Sequence, residues 1–496
     1  MLNHESIETA LHNYKNWRIP LERDYVTSLP LIQHWRSTQL PGKQIKSKVF
    51  ADYDVLFMQH HMGPFLGRLN QMFEEGLKPE NCWFVDIPYS TSNYVWETIQ
   101  EQCPPEQTAK PMNNPLAVYS ETQLNRVSEI VLKICGKSPK NLLVVDDGAY
   151  FLRSLFELRT QDTDIIHRFG KGKNQINLGL VEQTTRGHRH LHDYHLRQIL
   201  SEIECSTVSI ARCFTKTNLE SIFIGEAVAK SINNKLDSIS KNKKGKLDAK
   251  RGKARFAILG FGSIGKSTTQ SLLEHFENAR IDIIDPDLSK HSLIKELYSD
   301  RIAPYEHLPS PHKNPGTYDM VIGCTGYGSF MLHHRHLLND GAYLVSASSA
   351  AVEFNRKDFI ERSKSSNSTD LKIITPASTT INMNCQKTVN REIHTDIVFQ
   401  ETGIHSKRKG KLCFTFTNAG FPINFTGDIE SLPPPLIQPT HCLLFAASCQ
   451  VVEMMKNKVS RLVELNKQDD MWIFIEGVND LTNPELWGKQ LIIPRA

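Results

Sequence analysis

The sequence predicts an α/β protein with two domains, each built around a largely parallel sheet, and three observations support this prediction. From about residue 49 to residue 200, short apolar runs alternate with amphipathic helical stretches, as in a parallel sheet with crossover helices. A second alternation of this kind begins near residue 254, after a lysine-rich connector. The chain of 496 residues is also too long for one ordinary core.

Composition and charge exclude several classes of protein. Hydrophobic residues make up 40% of the chain and charged residues 23%, as in soluble globular proteins, and a net charge of +4 gives no basis for nucleic-acid binding. No apolar run reaches about 18 residues, so we expect no membrane span. The ten cysteines include no CxxC pair, which excludes zinc-ribbon and dithiol spacings. Because Met1 to Pro20 contains no apolar segment typical of a secretory leader, we expect a cytoplasmic protein.

Two strand-like runs in the first half of the chain end in carboxylates. Cys82–Ile87 and Leu142–Asp146 are apolar, and helical patterns follow them. Parallel strands direct their carboxyl ends toward the ligand crevice, so we expect Asp146 and Asp147 to lie at a site. The alternative is that these two aspartates only end a strand and begin a turn.

Basic segments mark connections in the chain. An amphipathic helix over about 219–236 leads into the lysine-rich stretches 241–246 and 250–253, which we interpret as an exposed linker. A patch for an anionic surface is the alternative, but no aromatic residues are interleaved with these lysines. Lys407–Lys411 lies between two strand-like segments and is interpreted as a solvated hairpin turn.

A glycine-rich segment opens the second domain. A strand, a turn, a helix, a second strand and an acidic residue follow one another as Arg255–Leu259, Gly260-x-Gly262-x-x-Gly265, 266–276, Arg280–Ile284 and Asp285. Gly260 makes the tight turn, Gly262 lets the backbone approach a pyrophosphate, and Gly265 lets helix and strand pack closely. The sequence therefore predicts a Rossmann-type dinucleotide-binding domain. A glycine-rich turn in a non-binding α/β domain is the alternative.

The same segment predicts which dinucleotide is bound. The amides of Ser263 and Ile264 open the helix and would hold phosphates with the adjacent glycine amides. Asp285 can accept hydrogen bonds from the adenosine ribose hydroxyls and would repel a 2′-phosphate, so NAD is favoured over NADP. A later strand, Tyr318–Gly323, ends before Thr325 and Gly326, which would let the backbone approach the nicotinamide half.

Several segments together resemble the S-adenosylhomocysteine hydrolase family, and the similarity runs from about residue 52 to residue 452. The matching segments are Val145–Gly148, Gly179–Gly187, Phe214–Ser221, His61–Met62, Ser90–Thr91, Cys324–Gly326, Val352–Glu353 and Ile423–Asn424. The resemblance implies a substrate domain over 1–221, to which 430–460 return, an NAD domain over 222–428, and a C-terminal tail over 461–496. It also implies a redox-primed elimination, in which bound NAD oxidises the ribose 3′-position before the 5′-thiol leaves.

The resemblance also assigns roles to residues of this chain. Its implied catalytic residues are Lys216, beside the 3′-hydroxyl, with Glu220, Asp147 and His61. The implied substrate contacts are Thr184, Thr185, Ser90 and Thr91. The cofactor contacts are the glycine-rich turn with Asp285, Thr325, Gly326 and Asn424. No metal is expected.

Departures from the family pattern make efficient thioether hydrolysis unexpected. Glu220 stands where the family has Asp, and the other replacements are Ser221 and Ala211 for Asn, Arg186 and Gly63 for Thr, and Ser349 and Leu432 for His. Loss of one general acid or base costs about 10² to 10⁴ in rate. The family's Lys/Tyr tail is also absent from the C-terminal end, which implies an exchangeable NAD.

Structural interpretations remain open for the same residues. Thr217 and Glu220 have the spacing of a helix-capping box, and Lys216 is also compatible with an ordinary surface lysine. His61 is equally compatible with a core histidine. The histidines between 188 and 195 look like a metal tract, but only Asp193 accompanies them.

Three functions follow from these observations. The first is oxidation of a secondary hydroxyl of a nucleoside-like or polyol substrate by bound NAD. The second is a catalytically silent protein that binds NAD or a nucleoside as a regulatory signal. The third is S-adenosylhomocysteine hydrolysis itself. In each case we expect a small-molecule ligand, no nucleic acid or membrane partner, and a homodimer.

Overall fold

The computed structural model describes residues 4–17, 29–40, 48–112, 116–242, 254–297, 300–310, 314–365, 371–374, 394–402, 411–483 and 486–487. The chain divides into two compact units. Unit 1 comprises residues 1–112, 120–220 and 427–496, and unit 2 comprises residues 113–119 and 221–426. Both are built on mostly parallel sheets with interleaved helices, so the predicted α/β class is confirmed.

The strands are β1 Asp54–Gln59, β2 Cys82–Asp86, β3 Asn141–Asp146, β4 Asn177–Glu182, β5 Ser206–Ser209, β6 Arg255–Leu259, β7 Arg280–Ile284, β8 Ile302–Tyr305, β9 Tyr318–Gly323, β10 Leu338–Ser346, β11 Leu371–Ile374, β12 Ile397–Thr402, β13 Lys411–Phe416 and β14 Leu462–Glu464. The helices are α1 His4–Asn16, α2 Pro30–Thr38, α3 Gly63–Glu74, α4 Asn93–Gln102, α5 Tyr119–Lys137, α6 Tyr150–Gln161, α7 Thr185–Leu191, α8 Tyr194–Glu202, α9 Ser221–Asn242, α10 Ser263–His275, α11 Ser289–Leu297, α12 Arg356–Lys364, α13 Pro434–Lys456 and α14 Lys467–Asp480. A π-helical turn, Lys216–Glu220, leads into α9.

The sheet of unit 1 has the order β2-β1-β3-β4-β5-β14, and its strand pairs are parallel. Strand β1 is buried along its whole length, as expected for an apolar strand covered on both faces. The order 2-1-3-4-5 is that of a flavodoxin-like doubly wound sheet. In such a sheet the ligand crevice lies at the carboxyl ends of β1 and β3, where the connections change direction.

Helix α13 lies in the core of unit 1. Most of its 23 residues are buried, which is typical of a helix that is apolar on every side. Its approach to the sheet depends on Gly179 of β4, because a Cβ atom there would lie 2.3 Å from Val451 and 2.5 Å from Met455. Phe445 packs edge-on against Trp35 and Phe50 in the same core. Burying each such side chain stabilises the fold by about 1.5–3 kcal/mol.

The sheet of unit 2 has the order β8-β7-β6-β9-β10-β13, followed by the antiparallel strands β12 and β11. The six parallel strands have the 3-2-1-4-5-6 order of a Rossmann fold, whose crevice lies between β6 and β9. The antiparallel pairing of β12 with β13 agrees with the predicted hairpin, although most of its basic turn lies outside the described residues. The linker over 243–253 also lies outside them.

The chain crosses between the units at 112/113, 119/120, 220/221 and 426/427. The segment after residue 461, which the sequence assigned to a separate tail, contributes β14 to the sheet of unit 1 and α14 beside α13. Among the described helices, none is long and apolar enough to cross a membrane. Within the described ranges, no group of three His, Cys, Asp or Glu residues is arranged to hold a metal ion. In the histidine run, His188 contacts Ser209 and Asp193 caps α8.

Candidate functional site

The turn between β6 and α10 has the geometry that its glycines predict. Gly260 has a φ of +90°, which favours glycine, and a Cβ there would lie 2.9 Å from Thr325. A Cβ on Gly265 would lie 2.0 Å from the carbonyl oxygen of Gly260, so the helix packs directly against the turn. A Cβ on Gly262 would meet no atom of the described residues within 4 Å, so there is open space beside this glycine. Two of the three glycines thus serve packing, and the third leaves room beside the backbone.

The first amides of α10 are available to a ligand. In the described part of the chain, the N–H groups of Gly262, Ser263, Ile264 and Gly265 have no hydrogen-bond partner, and no side chain caps the helix. Four such N–H groups at a helix start carry a partial positive charge. An anion such as a phosphate would satisfy them.

Asp285 lies at the end of β7, beside this turn. Its carboxylate accepts hydrogen bonds from the N–H groups of Phe261 at 2.7 Å and Asp287 at 2.9 Å, and Lys290 Nζ lies 3.0 Å from the same carboxylate. Burial raises the pKa of Asp285, but these donors outweigh burial and lower it below the usual value. Asp285 is therefore ionised and already fixes the glycine-rich turn. Lys290, which the sequence did not single out, neutralises part of its charge.

The loop after β9 is held by Glu353. The Glu353 carboxylate accepts hydrogen bonds from Thr325 Oγ1 at 2.8 Å, the Gly326 N–H at 2.6 Å and Ser329 Oγ at 2.7 Å, and it also contacts Ser348. Burial raises the pKa of Glu353, and the hydroxyl and amide donors oppose that effect. The predicted cofactor residues Thr325 and Gly326 are thus fixed by a carboxylate whose role the sequence did not reveal.

Asn424 lies near the end of a neighbouring strand of the same sheet. It is buried, and the N–H of the preceding Ile423 donates to the carbonyl of Ser346, the last residue of β10. The adjoining turn has Asn418 and Ala419 in left-handed conformations. The predicted residues of unit 2 therefore lie at the carboxyl ends of β6, β7, β9 and β10.

In unit 1, His60 lies at the carboxyl end of β1. Its Nδ1 atom is 2.5 Å from Ser90 Oγ, and its Nε2 atom is 3.2 Å from Asp147 Oδ2. The side chain of His60 is 20% exposed, whereas Asp147 is almost covered. The predicted residues Ser90 and Asp147 are thus brought together by a histidine that sequence reasoning missed. An imidazole between a hydroxyl and a carboxylate is suited to proton transfer.

His61 has different surroundings. It is fully buried among Phe65, Phe84 and Trp96, with its ring centroid 4.8 Å from that of Phe65. Among the described residues, neither ring nitrogen of His61 has a hydrogen-bond partner. Burial lowers the pKa of His61 to about 3, so the imidazole is neutral. A catalytic role for His61 stays a prediction.

Thr91 belongs to a buried ion-pair network. Its hydroxyl donates to Asp86 Oδ2 at 2.8 Å, and Arg126 pairs with the other oxygen of that carboxylate. Burial raises the pKa of Asp86, but the Arg126 charge leads the opposing effects, which lower it below its usual value. Gln123 and Arg126 also donate to the backbone carbonyl of Asp86. These contacts hold the end of β2, so the hydroxyl of Thr91 is already engaged.

Two carboxyl groups, at the ends of β3 and β4, accept hydrogen bonds from the backbone N–H groups that follow β3. Asp146 accepts from the N–H groups of Tyr150 and Phe151, and Glu182 accepts from those of Gly148 and Ala149 at 3.1 and 2.8 Å. Burial raises the pKa of Asp146 to about 7 and that of Glu182 well above its usual value. This geometry agrees with the structural alternative for Asp146, in which the residue only ends a strand and begins a turn.

The predicted substrate threonines lie at the start of α7. The Thr184 hydroxyl donates to Glu182 Oε1 at 2.9 Å and accepts from the N–H of Gly187, so it caps this helix. Thr185 is exposed on the first turn. Of this pair, Thr185 is exposed, whereas Thr184 is half-buried and its hydroxyl is engaged in capping.

Lys216 and Glu220 form an ion pair in the π-helical turn. Lys216 Nζ lies 3.0 Å from Glu220 Oε2, and the Thr440 hydroxyl of α13 donates to that same oxygen at 2.6 Å. Both charged side chains are mostly covered, which argues against an ordinary surface lysine. Glu220 is engaged by these two groups, and the Thr217 hydroxyl donates to the carbonyl of Cys213. The geometry thus differs from the capping box.

Comparisons with known proteins give only distant similarities. No family model matches the chain. Uncharacterized proteins from the CDC 1551 and H37Rv strains of Mycobacterium tuberculosis are 21% identical over 375 residues, covering 74% of this chain and 58% of theirs. The chain therefore spans little more than half the length of these relatives. A dipicolinate synthase chain from Bacillus halodurans is similar in structure over 60% of this chain and 83% of its own, with 9% identity and a TM-score of 0.28.

Proposed function

We propose that this chain binds NAD through unit 2 and oxidises a secondary hydroxyl of a nucleoside-like or polyol substrate. One observation carries the proposal: four unpartnered amides open α10 beside Gly262, at the crevice of a sheet with Rossmann order. We also propose that the chain is a divergent relative of the S-adenosylhomocysteine hydrolases, on the motifs quoted above.

The residues present fit a dinucleotide. The open space at Gly262 admits a pyrophosphate, and Gly260 and Gly265 hold the turn that presents the amides. A carboxylate has about four acceptor positions, and Asp285 uses three of them, so one is left for a ribose hydroxyl. Its negative charge disfavours a 2′-phosphate, and Lys290 reduces this discrimination. Because Lys290 neutralises only part of the Asp285 charge, the site favours NAD over NADP.

Lys216 is the residue that we expect to bind the substrate hydroxyl. Bound NAD would supply a hydride acceptor, and the chain must hold the hydroxyl and take its proton. Lys216 is fixed by Glu220, which Thr440 in turn fixes, so the ammonium group has a defined position. A positioned ammonium group of this kind donates a hydrogen bond to the hydroxyl oxygen, and the Glu220 carboxylate paired with it is the base that takes the proton released when the hydride leaves. His60, Asp147 and Ser90 offer a second proton-transfer group in unit 1.

A catalytically silent NAD- or nucleoside-binding protein is the second candidate. The observation that favours it is the engagement of Thr184 in capping and of Thr91 in an ion-pair network. Ser349 and Leu432 also stand where the resembled family has histidines. S-adenosylhomocysteine hydrolysis is the third candidate. Little homocysteine release is expected from it, and a thiol assay on the purified protein measures that release.

The dinucleotide proposal is tested by calorimetry with NAD on the wild type and on Gly262→Val. Gly262 has a φ of −81° and open space around it, so the fold accepts a side chain there. We expect the affinity for NAD to fall by at least about 100-fold while the melting temperature is unchanged, because the side chain occupies the place of the pyrophosphate. Equal affinity in both proteins, or no NAD binding by the wild type, contradicts the proposal.

Turnover is tested by following reduced-nicotinamide absorbance with NAD and a panel of nucleosides and polyols. We expect Lys216→Met to abolish the signal, because the hydroxyl then lacks its positioned cation. Lys235→Met is the matched control, since Lys235 also pairs with a carboxylate, Asp396, in unit 2. If no compound gives a signal while NAD still binds, the silent alternative replaces the enzymatic one.

A further inference from the structure

Arg68 is a buried cation whose donors are largely unused. It lies on α3, is 1% exposed, and donates from Nη2 to Gln59 Oε1 at 3.0 Å. Its Nε and Nη1 atoms are buried and have no hydrogen-bond partner in the part of the chain that the structure describes. Burial lowers the pKa of Arg68 to about 9, which still leaves it charged at neutral pH. Each unsatisfied buried donor costs free energy, so this arrangement needs an explanation.

Two histidines near Arg68 also have unused nitrogens. The guanidinium lies 5.4 Å from the ring centroid of Phe65, and the His61 ring centroid lies 4.8 Å from the same ring. On α13, the Nδ1 atom of His441 is buried and has no hydrogen-bond partner within the described ranges. Burial lowers the pKa of His441, and Arg68 is the first of the neighbouring charges that add to this effect. Unpartnered nitrogens from α3, α13 and the end of β1 thus gather in one region of unit 1.

Two carboxylates of this region are paired with other cations, and a third lies beside a histidine. Asp86 pairs with Arg126, Glu220 pairs with Lys216, and Asp147 lies beside His60. Among the described residues, no carboxylate pairs with Arg68. One full positive charge is therefore left without a counter-charge in a buried place, where charges are stable only when paired.

We propose that Arg68, His61 and His441 form a subsite for the carboxylate group of a small monocarboxylate ligand. One unpaired positive charge matches a monoanion, and a planar guanidinium matches the geometry of a carboxylate. A doubly charged phosphate is disfavoured because the region offers one unpaired positive charge, and Asp86 and Asp147 lie at the carboxyl ends of β2 and β3, on either side of β1. The partly exposed side chains of His60 and His441 mark the open side of the region. The subsite belongs to unit 1 alone and does not depend on NAD.

The test measures the melting temperature of the full-length protein in acetate and in lactate, without NAD and at constant ionic strength. A rise of about 3 °C is expected when the ligand reaches about ten times its Kd. Lactamide, which has the shape of lactate without its charge, should give no rise. Inorganic phosphate at equal concentration should give less than lactate.

Arg68→Met should abolish the response to acetate and lactate and leave the melting temperature of the free protein within about 2 °C of the wild type, because it removes an unpaired charge. Arg126→Met is the matched control, and it should lower the melting temperature by at least about 5 °C, because it leaves Asp86 unpaired. If Arg68→Met does not fold, or loses as much stability as Arg126→Met, then Arg68 is a structural residue and the proposal is wrong. No response of the wild type up to about 100 mM ligand, or a larger Arg68-dependent response to phosphate, also overturns it. None of these outcomes alters the NAD result with Gly262→Val.

Discussion

In both units a helix follows a parallel strand, but the backbone N–H groups at the start of that helix differ in their hydrogen bonding. In unit 1, the amides from Gly148 to Phe151 are bonded by the carboxylates of Asp146 and Glu182. In unit 2, the amides from Gly262 to Gly265 have no partner in the described structure. In unit 1, side-chain carboxyl groups therefore occupy the N–H groups that unit 2 leaves open to an external anion.

This difference shows what a glycine-containing turn needs in order to bind phosphate. The turn after β3 also contains a glycine with a positive φ, Gly148, and a helix follows it at once. The carboxyl group of Glu182 accepts from the N–H groups of Gly148 and Ala149, so these donors are not available to a phosphate. A glycine and a helix start are therefore not sufficient, because the amides must also be free.

The largest change in stability is expected from Glu182→Met, which removes the acceptor of three backbone N–H groups in unit 1. The N–H groups of Gly148, Ala149 and Thr184 would lose their acceptor, and each unsatisfied donor costs about 1–3 kcal/mol. We expect the free energy of unfolding to fall by about 3–6 kcal/mol in urea denaturation. Glu182→Gln retains one acceptor oxygen and should lose about half as much. A loss below about 1 kcal/mol for the methionine variant would show that Glu182 does not hold these loops.

Gly265→Ala should destabilise unit 2 by about 3 kcal/mol, because its Cβ would lie 2.0 Å from the Gly260 carbonyl oxygen. Gly262→Ala is the control in the same turn, where a Cβ meets no neighbour within 4 Å. We expect that control to change the unfolding free energy by less than about 0.5 kcal/mol. Thermal unfolding of both variants checks this, and similar losses in the two would contradict the packing described here.

Acid sensitivity should distinguish His61→Phe from the wild type. The folded-state pKa of His61 is about 3, below the unfolded value near 6.5, so only the unfolded chain takes up this proton on acidification. The free energy of unfolding is therefore unaffected by protonation of His61 above pH 6.5, and it falls by about 2 kcal/mol between pH 6.5 and pH 5 because of this residue. The phenylalanine variant should lack that loss, which denaturation at the two pH values measures. An identical pH dependence in the two proteins would mean that His61 is not buried in its neutral form.

The smallest effect is expected from Lys290→Ala. Removing Lys290 frees Asp285 to accept from a ribose hydroxyl and leaves its negative charge unopposed. The preference for NAD over NADP should rise, but by no more than about fivefold, because partly exposed ion pairs are worth about 1 kcal/mol or less. Lys295→Ala, also on α11, is the control. Calorimetry with both dinucleotides gives the ratio, and a shift toward NADP would contradict the assignment of Asp285.

Much of the fold could be predicted because its signals are local. The apolar runs of β3, β6 and β9 are buried strands, and their short length and flanking polar or glycine residues indicate strands from the sequence. The spacing of Gly260, Gly262 and Gly265 reflects constraints within one turn, so the sequence predicts its shape.

Much of the site could not be predicted, because contacts between distant segments define it. His60 and His61 are adjacent, yet one contacts Ser90 and Asp147 and the other packs among aromatic rings. The direction of a side chain just after a strand depends on tertiary packing, which the sequence pattern does not encode. Arg68 was missed for a similar reason, since a charged residue on an amphipathic helix is normally exposed.

The strand β14 and the helix α13 of unit 1 lie after residue 427, whereas β1–β5 lie before residue 221. During synthesis, β1–β5 therefore leave the ribosome without the helix that packs against Gly179. At about 5–20 residues per second, the intervening segment takes roughly 10 to 40 s to make. For that interval the nascent sheet exposes an uncovered apolar face, so this first half of the chain is where chaperones would be needed.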